Sequence, residues 1–311
     1  MTSLENRKIA IVGSGAVGCY YGGVLARAGY DVRFLMRSDL EAVRRAGLTI
    51  HSRGEEWKIA AQAYGSSEEI GPCDLVIIAL KATGNTALEA ILPPLLGPAT
   101  TLLTLQNGLG NEQFLAERWG AERVMGGLCF VCLNRTAPGV IEHLDHGTLS
   151  IGEFVGGPQA RTRAVVEAFR KSGIEASAVE NLAEERWRKL VWNIPFNGLS
   201  IAARGATVAD VLAEDGLRTL ARGLMTEVLE GAGRLGLAIP ASFADHQLER
   251  SWSMGAYKPS SLIDWELGRP VEVEAIWGEP WRRGTAAGAN MARLETIYRL
   301  LQRVARPEGA R

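Results

Sequence analysis

The sequence predicts an α/β domain with a doubly wound parallel sheet, followed by an all-α domain. Two patterns carry this. In the first half, apolar runs of strand length alternate with helical stretches, the signature of βαβ units and a parallel sheet. From about residue 181 strand signals vanish and long helical patterns take over. With 311 residues, the chain is long enough for about two domains. The expected boundaries are 1–180 and 181–311.

Taken in order, KIAIVG (8–13) reads as a buried strand and AVGCYYGGVLARAGY (16–30) as a helix with small residues on its early turns. DVRFLM (31–36), DLVIIAL (74–80), TTLLTL (100–105) and RVMGGLCFVCL (123–133) read as further strands. GNTALEAILPPLL (84–96) and NEQFLAERWG (111–120) read as intervening helices. GVIEHLDHGTLSIGEF (139–154) and the segment to about 180 read as closing strands plus one helix, QARTRAVVEAFRKSG. The helical half contains NLAEERWRKLVWN, LRTLARGLMTEVLEGAGRLG and MARLETIYRLLQRVA; the tail RPEGAR is expected to fray.

The composition, 47% apolar and 22% charged with a net charge of −1, is that of a globular protein. It gives no electrostatic case for nucleic acid or an anionic membrane surface. No apolar run approaches membrane-spanning length. The N-terminus, MTSLENRKIAIVG, lacks the features of a signal peptide, so a cytoplasmic location is expected. Cys129 and Cys132 match C-x-x-C but lie in a strand-like apolar run with no second cysteine pair, and read as small buried hydrophobes.

The first strand runs into GSGAVG, residues Gly13, Ser14, Gly15, Ala16, Val17 and Gly18, which then opens a helix. In that context G-x-G-x-x-G is a dinucleotide-binding turn of Rossmann type. Gly13 makes the turn, Gly15 admits a pyrophosphate to the backbone, and Gly18 lets helix and strand pack closely. Free N–H groups and the positive end of the helix dipole then face the phosphates. The second strand ends FLMRSD. An NAD enzyme usually carries an acid there; here Arg37 and Ser38 come first, Asp31 is at the wrong end, and Asp39 lies two residues past the arginine. A guanidinium suits a 2′-phosphate, which predicts NADP. Lys81 and the Gln106–Asn107–Gly108 turn follow two later strands, where ligands gather in such sheets. Taken alone, Asn-Gly is also a common turn dipeptide.

In WRKLVWNIPFN, Lys189, Asn193 and Asn197 recur every four residues and share one side of a helix. Amides are poor helix formers, and the other sides of the segment are apolar too, so a buried stripe is expected. Pro195 stands between the two asparagines and predicts a kink. His143 and His146 read as loop or edge-strand residues.

Together GSGAVG, LMR, LKA at 80–82, QNG at 106–108, H-x-x-H-G at 143–147, WRKLVWN and SSLIDWELGRPVEVEAIWG resemble the ketopantoate reductases, over nearly the whole chain. The resemblance implies NADPH-dependent reduction of a 2-oxo acid, with ketopantoate the leading substrate. It implies Lys189 as general acid and Asn107, Asn193, Asn197, Ser260 and Glu272 as substrate ligands, with Asn107 and Glu272 also meeting the cofactor. Ser261 competes with Ser260, and Glu274 with Glu272. The family's late segment often reads S-M-L-Q-D and ends N-G; here it reads S-S-L-I-D, with Ile263, and ends Trp277-Gly278. Trp277 is expected in the core. The alternatives are a same-fold reductase of another 2-oxo acid or bulkier ketone, and a non-catalytic NADP-binding sensor. A homodimer is expected only from the Leu-, Ala- and Trp-rich helical half.

Overall fold

A computed structural model describes residues 1–305; the expected frayed tail, residues 306–311, lies outside the described residues. The chain forms two compact units. The first holds residues 1–106 and 111–182, and the second residues 107–110 and 183–311.

In the first unit, five strands follow the expected apolar runs: β1 (Lys8–Val12), β2 (Asp31–Leu35), β6 (Cys73–Ile78), β7 (Leu96–Thr104) and β8 (Val124–Ala137). Three more lie between β2 and β6: β3 (Leu48–Ser52), β4 (Glu55–Ile59) and β5 (Gln62–Tyr64). β9 (Val140–Glu153) and β10 (Ala176–Ala178) complete a ten-stranded sheet. Its helices are α1 (Ala16–Arg27), α2 (Leu40–Ala46), α3 (Ser67–Ile70), α4 (Leu88–Ile91), α5 (Asn111–Trp119) and α6 (Ala160–Lys171). The run β5-β2-β1-β6-β7-β8 is entirely parallel. That order, 3-2-1-4-5-6 counted along its own strands, is the dinucleotide-binding order. β1 and β6 are buried nearly throughout, which is why they read as continuous apolar runs.

Two departures from the expected sheet have local causes. β8 and β9, 14 residues each, form an antiparallel hairpin turning at Pro138–Gly139, and β3–β4 is antiparallel too. β4, EEWKI, is a polar edge strand with no apolar run to mark it. Residues 84–96 form no continuous helix: a 3₁₀ turn (Ala82–Ala87), one turn of α4 and a second 3₁₀ turn (Pro93–Leu95) lead into β7. Pro93 and Pro94 cannot donate the helical hydrogen bonds.

The second unit is all-helical among the described residues: α7 (Leu182–Ala202, whose first residue belongs to the first unit), α8 (Val208–Ala213), α9 (Asp215–Arg234), α10 (Phe243–Ser251), α11 (Ser260–Glu266), α12 (Glu279–Ala286) and α13 (Ala292–Val304). α9 packs against α8, α10, α12 and α13. A π-helical turn, Glu274–Gly278, precedes α12. Among the described residues, no helix is long and apolar enough to cross a membrane.

Both histidines lie in β9, and His143 is not at a loop or an edge, since it is paired with β3 on one side and β8 on the other. His146, past the end of the β3 ladder, is paired with β8 alone, beside a bulge and with φ +61. His143 Nε2 faces the carbonyl oxygens of Asp145 and His146, so it carries the proton, and Nδ1 lies 2.8 Å from Ser52 Oγ. Burial pushes its pKa below the usual range. Cys129 lies in the core of the same sheet and Cys132 is half-buried beside it in β8.

Candidate active site

The glycine turn joins β1 to α1. Gly13 has φ +98, and a Cβ there would fall 2.1 Å from the backbone nitrogen of Leu80. The turn therefore packs on the chain just past β6, one residue before Lys81. A Cβ on Gly18 would meet the Gly13 carbonyl oxygen at 2.2 Å, so helix and strand need a glycine to pack this closely. A Cβ on Gly15 would meet nothing within 4 Å. Gly15 caps α1 without any side-chain hydrogen bond. Open space over uncapped N–H groups is what a pyrophosphate requires, so these residues fit a dinucleotide. Ser14 Oγ donates to the Leu35 carbonyl at 2.7 Å, tying the turn to the end of β2.

Arg37 follows β2 and is exposed. The two nearby acids are engaged elsewhere. Asp31 binds Arg33 and Gln62 at the opposite end of β2. Asp39 is 4% exposed and accepts from Ser38, Arg135 and the Gly139 backbone. Lys81 is half-buried at the start of the 82–87 turn. That turn is held by a chain of amides that sequence reasoning missed: Thr104 Oγ1 donates to Gln106 Oε1, Gln106 Nε2 to Asn85 Oδ1, and Asn85 Nδ2 to Asn111 Oδ1. Nothing in the spacing of these residues announces the chain.

In the second unit, Lys189 Nζ donates to Asn107 Oδ1 at 2.7 Å. The pair joins residues 82 positions apart. Its geometry begins with the π turn. There the Glu279 N–H bonds the Glu274 carbonyl, five residues back. The equivalent donor for Ala275 would be residue 280, a proline with no N–H. The Ala275 carbonyl instead accepts from the Leu109 backbone at 2.8 Å, which docks residues 107–110 against the turn. Gly108 permits this approach: its φ is +82, and a Cβ would stand 2.3 Å from the Ala275 oxygen. Asn107 thereby meets the lysine. The one sequence signal was the Glu-Pro pair at 279–280; the π turn itself leaves no pattern.

The rest of the stripe is buried or half-buried, as expected. Asn193 is half-buried, and Asn197 is 2% exposed. The Asn197 amide donates to the Asn193 carbonyl at 3.0 Å and accepts from the Ser261 N–H at 2.9 Å, in the first turn of α11. Pro195 lies inside α7, and its presence leaves the stripe's two asparagines in contact. Ser260 is exposed and Ser261 is buried. Glu272 is half-buried, whereas Glu274 is exposed and bound by Arg282, Tyr298 and Gln302.

Trp277 is fully buried, and its indole N–H donates to the Ile194 carbonyl at 3.0 Å, one residue before Pro195. Gly198 leaves room for the indole; a Cβ there would lie 2.9 Å from Nε1. Trp277→Phe removes that donor and should lower the unfolding free energy by about 1–3 kcal/mol, read from urea denaturation. A change in substrate preference at unchanged stability would instead place Trp277 against substrate.

The family model "Ketopantoate reductase PanE/ApbA" matches residues 9–156, and "Ketopantoate reductase PanE/ApbA C terminal" matches residues 181–305. A 2-dehydropantoate 2-reductase of Nostoc sp. is 39% identical over 305 residues, covering 96% of this chain and 95% of its own. Among solved structures, a 2-dehydropantoate 2-reductase from Geobacter metallireducens GS-15 is 44% identical with a TM-score of 0.92, covering 95% of this chain and 99% of its own. One from Methylococcus capsulatus is 31% identical with a TM-score of 0.89, covering 95% and 96%.

Proposed function

The chain belongs to the ketopantoate reductase family of oxidoreductases, and we propose that it reduces 2-dehydropantoate to pantoate with NADPH, Lys189 supplying the proton. The observation that carries this reading is the 2.7 Å bond from Lys189 Nζ to Asn107 Oδ1.

The reduced nicotinamide, when bound, supplies a hydride to the ketone carbon. Negative charge then builds on the ketone oxygen. The Lys189 ammonium stabilises that charge and passes a proton to the oxygen, leaving a hydroxyl. Asn107 fixes the direction of Nζ, so the donor is oriented before substrate arrives. Of two half-buried polar groups, Glu272 accepts from the substrate's hydroxyl and the Asn193 amide donates to its carboxylate. Asn197 serves through Asn193 and α11, since its amide is bonded to both. Ser260 remains the exposed candidate for the carboxylate, next to a buried Ser261 that anchors the helix.

Residues 13–18 would hold the pyrophosphate, Lys81 an adjacent phosphate oxygen, and Arg37 the 2′-phosphate. The NADPH preference is supported by the engagement of Asp31 and Asp39 and by the exposure of Arg37. Arg37→Ala should raise the Kd for NADPH by about 10- to 100-fold, the worth of a charge-assisted hydrogen bond, with a far smaller effect on NADH. Equal losses for both would remove Arg37 from the 2′-phosphate.

A second reading, reduction of a different 2-oxo acid or ketone, is favoured by Ile263, which stands half-buried in α11 where the family often has an amide. Following NADPH absorbance with 2-dehydropantoate and a panel of 2-oxo acids decides between them. The highest kcat/KM is expected with 2-dehydropantoate. Turnover of other 2-oxo acids alone would select the second reading, and no oxidation with any of them would sink both.

A further inference from the structure

We infer that Arg135 is a second cation for the adenosine 2′-phosphate, held beside Ser38 by Asp39, so that two guanidiniums read this phosphate. The inference rests on the NADPH reading above and adds a residue from a distant strand to it.

Asp39 stands near where a carboxylate for ribose hydroxyls is expected. Its oxygens are already filled. Oδ1 accepts from Ser38 Oγ at 2.7 Å and Arg135 Nη1 at 2.9 Å, and Oδ2 accepts from the Gly139 N–H at 3.1 Å. Gripping a ribose would break bonds to a carboxylate that is 4% exposed. This acid positions other groups instead of binding the sugar.

What it positions is a cation. Arg135 lies near the end of β8, three residues before Pro138 in the turn of the hairpin. Its Nη1 also lies 3.4 Å from Ser38 Oγ. Among the described residues both of these contacts use Nη1, which leaves the Nη2 and Nε donors for an anion. The side chain is 35% exposed. Arg37 flanks Ser38 from the sequence side, exposed and without an ion pair among the described residues. Two guanidiniums against one buried carboxylate leave a net positive surface, matched to a phosphate monoester and wasted on a hydroxyl. Asp39 and Arg135 also lie near the helix that follows the glycine turn. The Cys19 thiol in α1 is pushed up to about 12, first by burial and then by the charge of Asp39, with Arg135 acting in the opposite direction.

The test is calorimetric titration of the purified protein with NADP⁺ and with NAD⁺. Arg135→Gln should lower the NADP⁺ over NAD⁺ selectivity by about tenfold, the loss of one charged hydrogen bond, and Arg135→Lys should retain most of it. Asp39→Asn, which keeps an oxygen acceptor for the guanidinium but removes the opposing charge, should keep or raise the selectivity. If Arg135→Gln fails to fold because Asp39 is left buried and unpaired, the double variant Asp39→Asn/Arg135→Gln removes both charges and gives the same readout. Wild-type selectivity in the Arg135→Gln protein, or proportional loss of both cofactors, overturns the inference, as does loss of NAD⁺ binding alone in Asp39→Asn. A selectivity that disappears in Arg37→Gln but survives in Arg135→Gln overturns this inference only. A wild type that shows no preference overturns the NADPH reading and the inference with it.

Discussion

Lys189→Ala is expected to lower kcat by about 10²- to 10⁴-fold, the usual worth of a positioned proton donor, with little change in NADPH affinity. The separation follows from placement. Lys189 lies in the helical unit, bonded to Asn107, while the glycine turn, Lys81 and Arg37 lie in the sheet unit. Lys189→Met keeps most of the side-chain volume and should lose as much activity as alanine, which excludes a packing explanation. Lys189→Arg should recover only part of the rate. Its guanidinium can stabilise an oxyanion but does not release a proton near neutral pH. Stopped-flow measurement of NADPH oxidation under single turnover checks all three. An alanine variant that keeps more than about a tenth of the rate would remove Lys189 from the proton-transfer step.

The second large effect is expected at Gly13. Gly13→Ala should abolish dinucleotide binding and destabilise the sheet unit. The left-handed backbone alone costs about 1–3 kcal/mol for a residue with a Cβ. The added atom would also overlap the Leu80 nitrogen, forcing the ends of β1 and β6 apart. Gly15→Ala provides the contrast. Its Cβ meets nothing within 4 Å, so the fold should survive with near wild-type thermal stability while NADPH affinity falls. Thermal unfolding with and without NADPH reads both quantities. If Gly15→Ala bound NADPH normally, the open space above this turn would not be the pyrophosphate site.

These expectations show where sequence suffices. The glycine turn was legible because three glycines at fixed spacing, after an apolar strand, leave few alternatives for the backbone. The parallel strands were legible because burial on both faces demands unbroken apolar runs. β4 and the 3₁₀ turns around residues 82–95 were not, since a polar edge strand and proline-broken turns carry no periodicity. Among site residues, Lys189 and Asn107 were named from their motifs, but their contact was not. It depends on a carbonyl at Ala275 that a proline five residues later leaves without its donor. His143 misled for a related reason: a polar side chain in an interior strand looks like a loop residue until Ser52 and two carbonyls are found around it. Asp39 read as a residue slightly out of place, and only its three bonds explain why it is there.

The docking of residues 107–110 on the helical unit also bears on synthesis. Asn107 leaves the ribosome 82 residues before its partner lysine. At about 5–20 residues per second that is roughly 4–16 s. During that interval the sheet strands on either side of the loop can pair, while Lys189 and Ala275 are still to be made. Neither half of the gene product, cut at residue 182, would contain both members of the pair. The Lys189–Asn107 pair is therefore assembled only once the chain has been made through Ala275, and a chain cut before that point would carry the glycine turn without the pair proposed to deliver the proton.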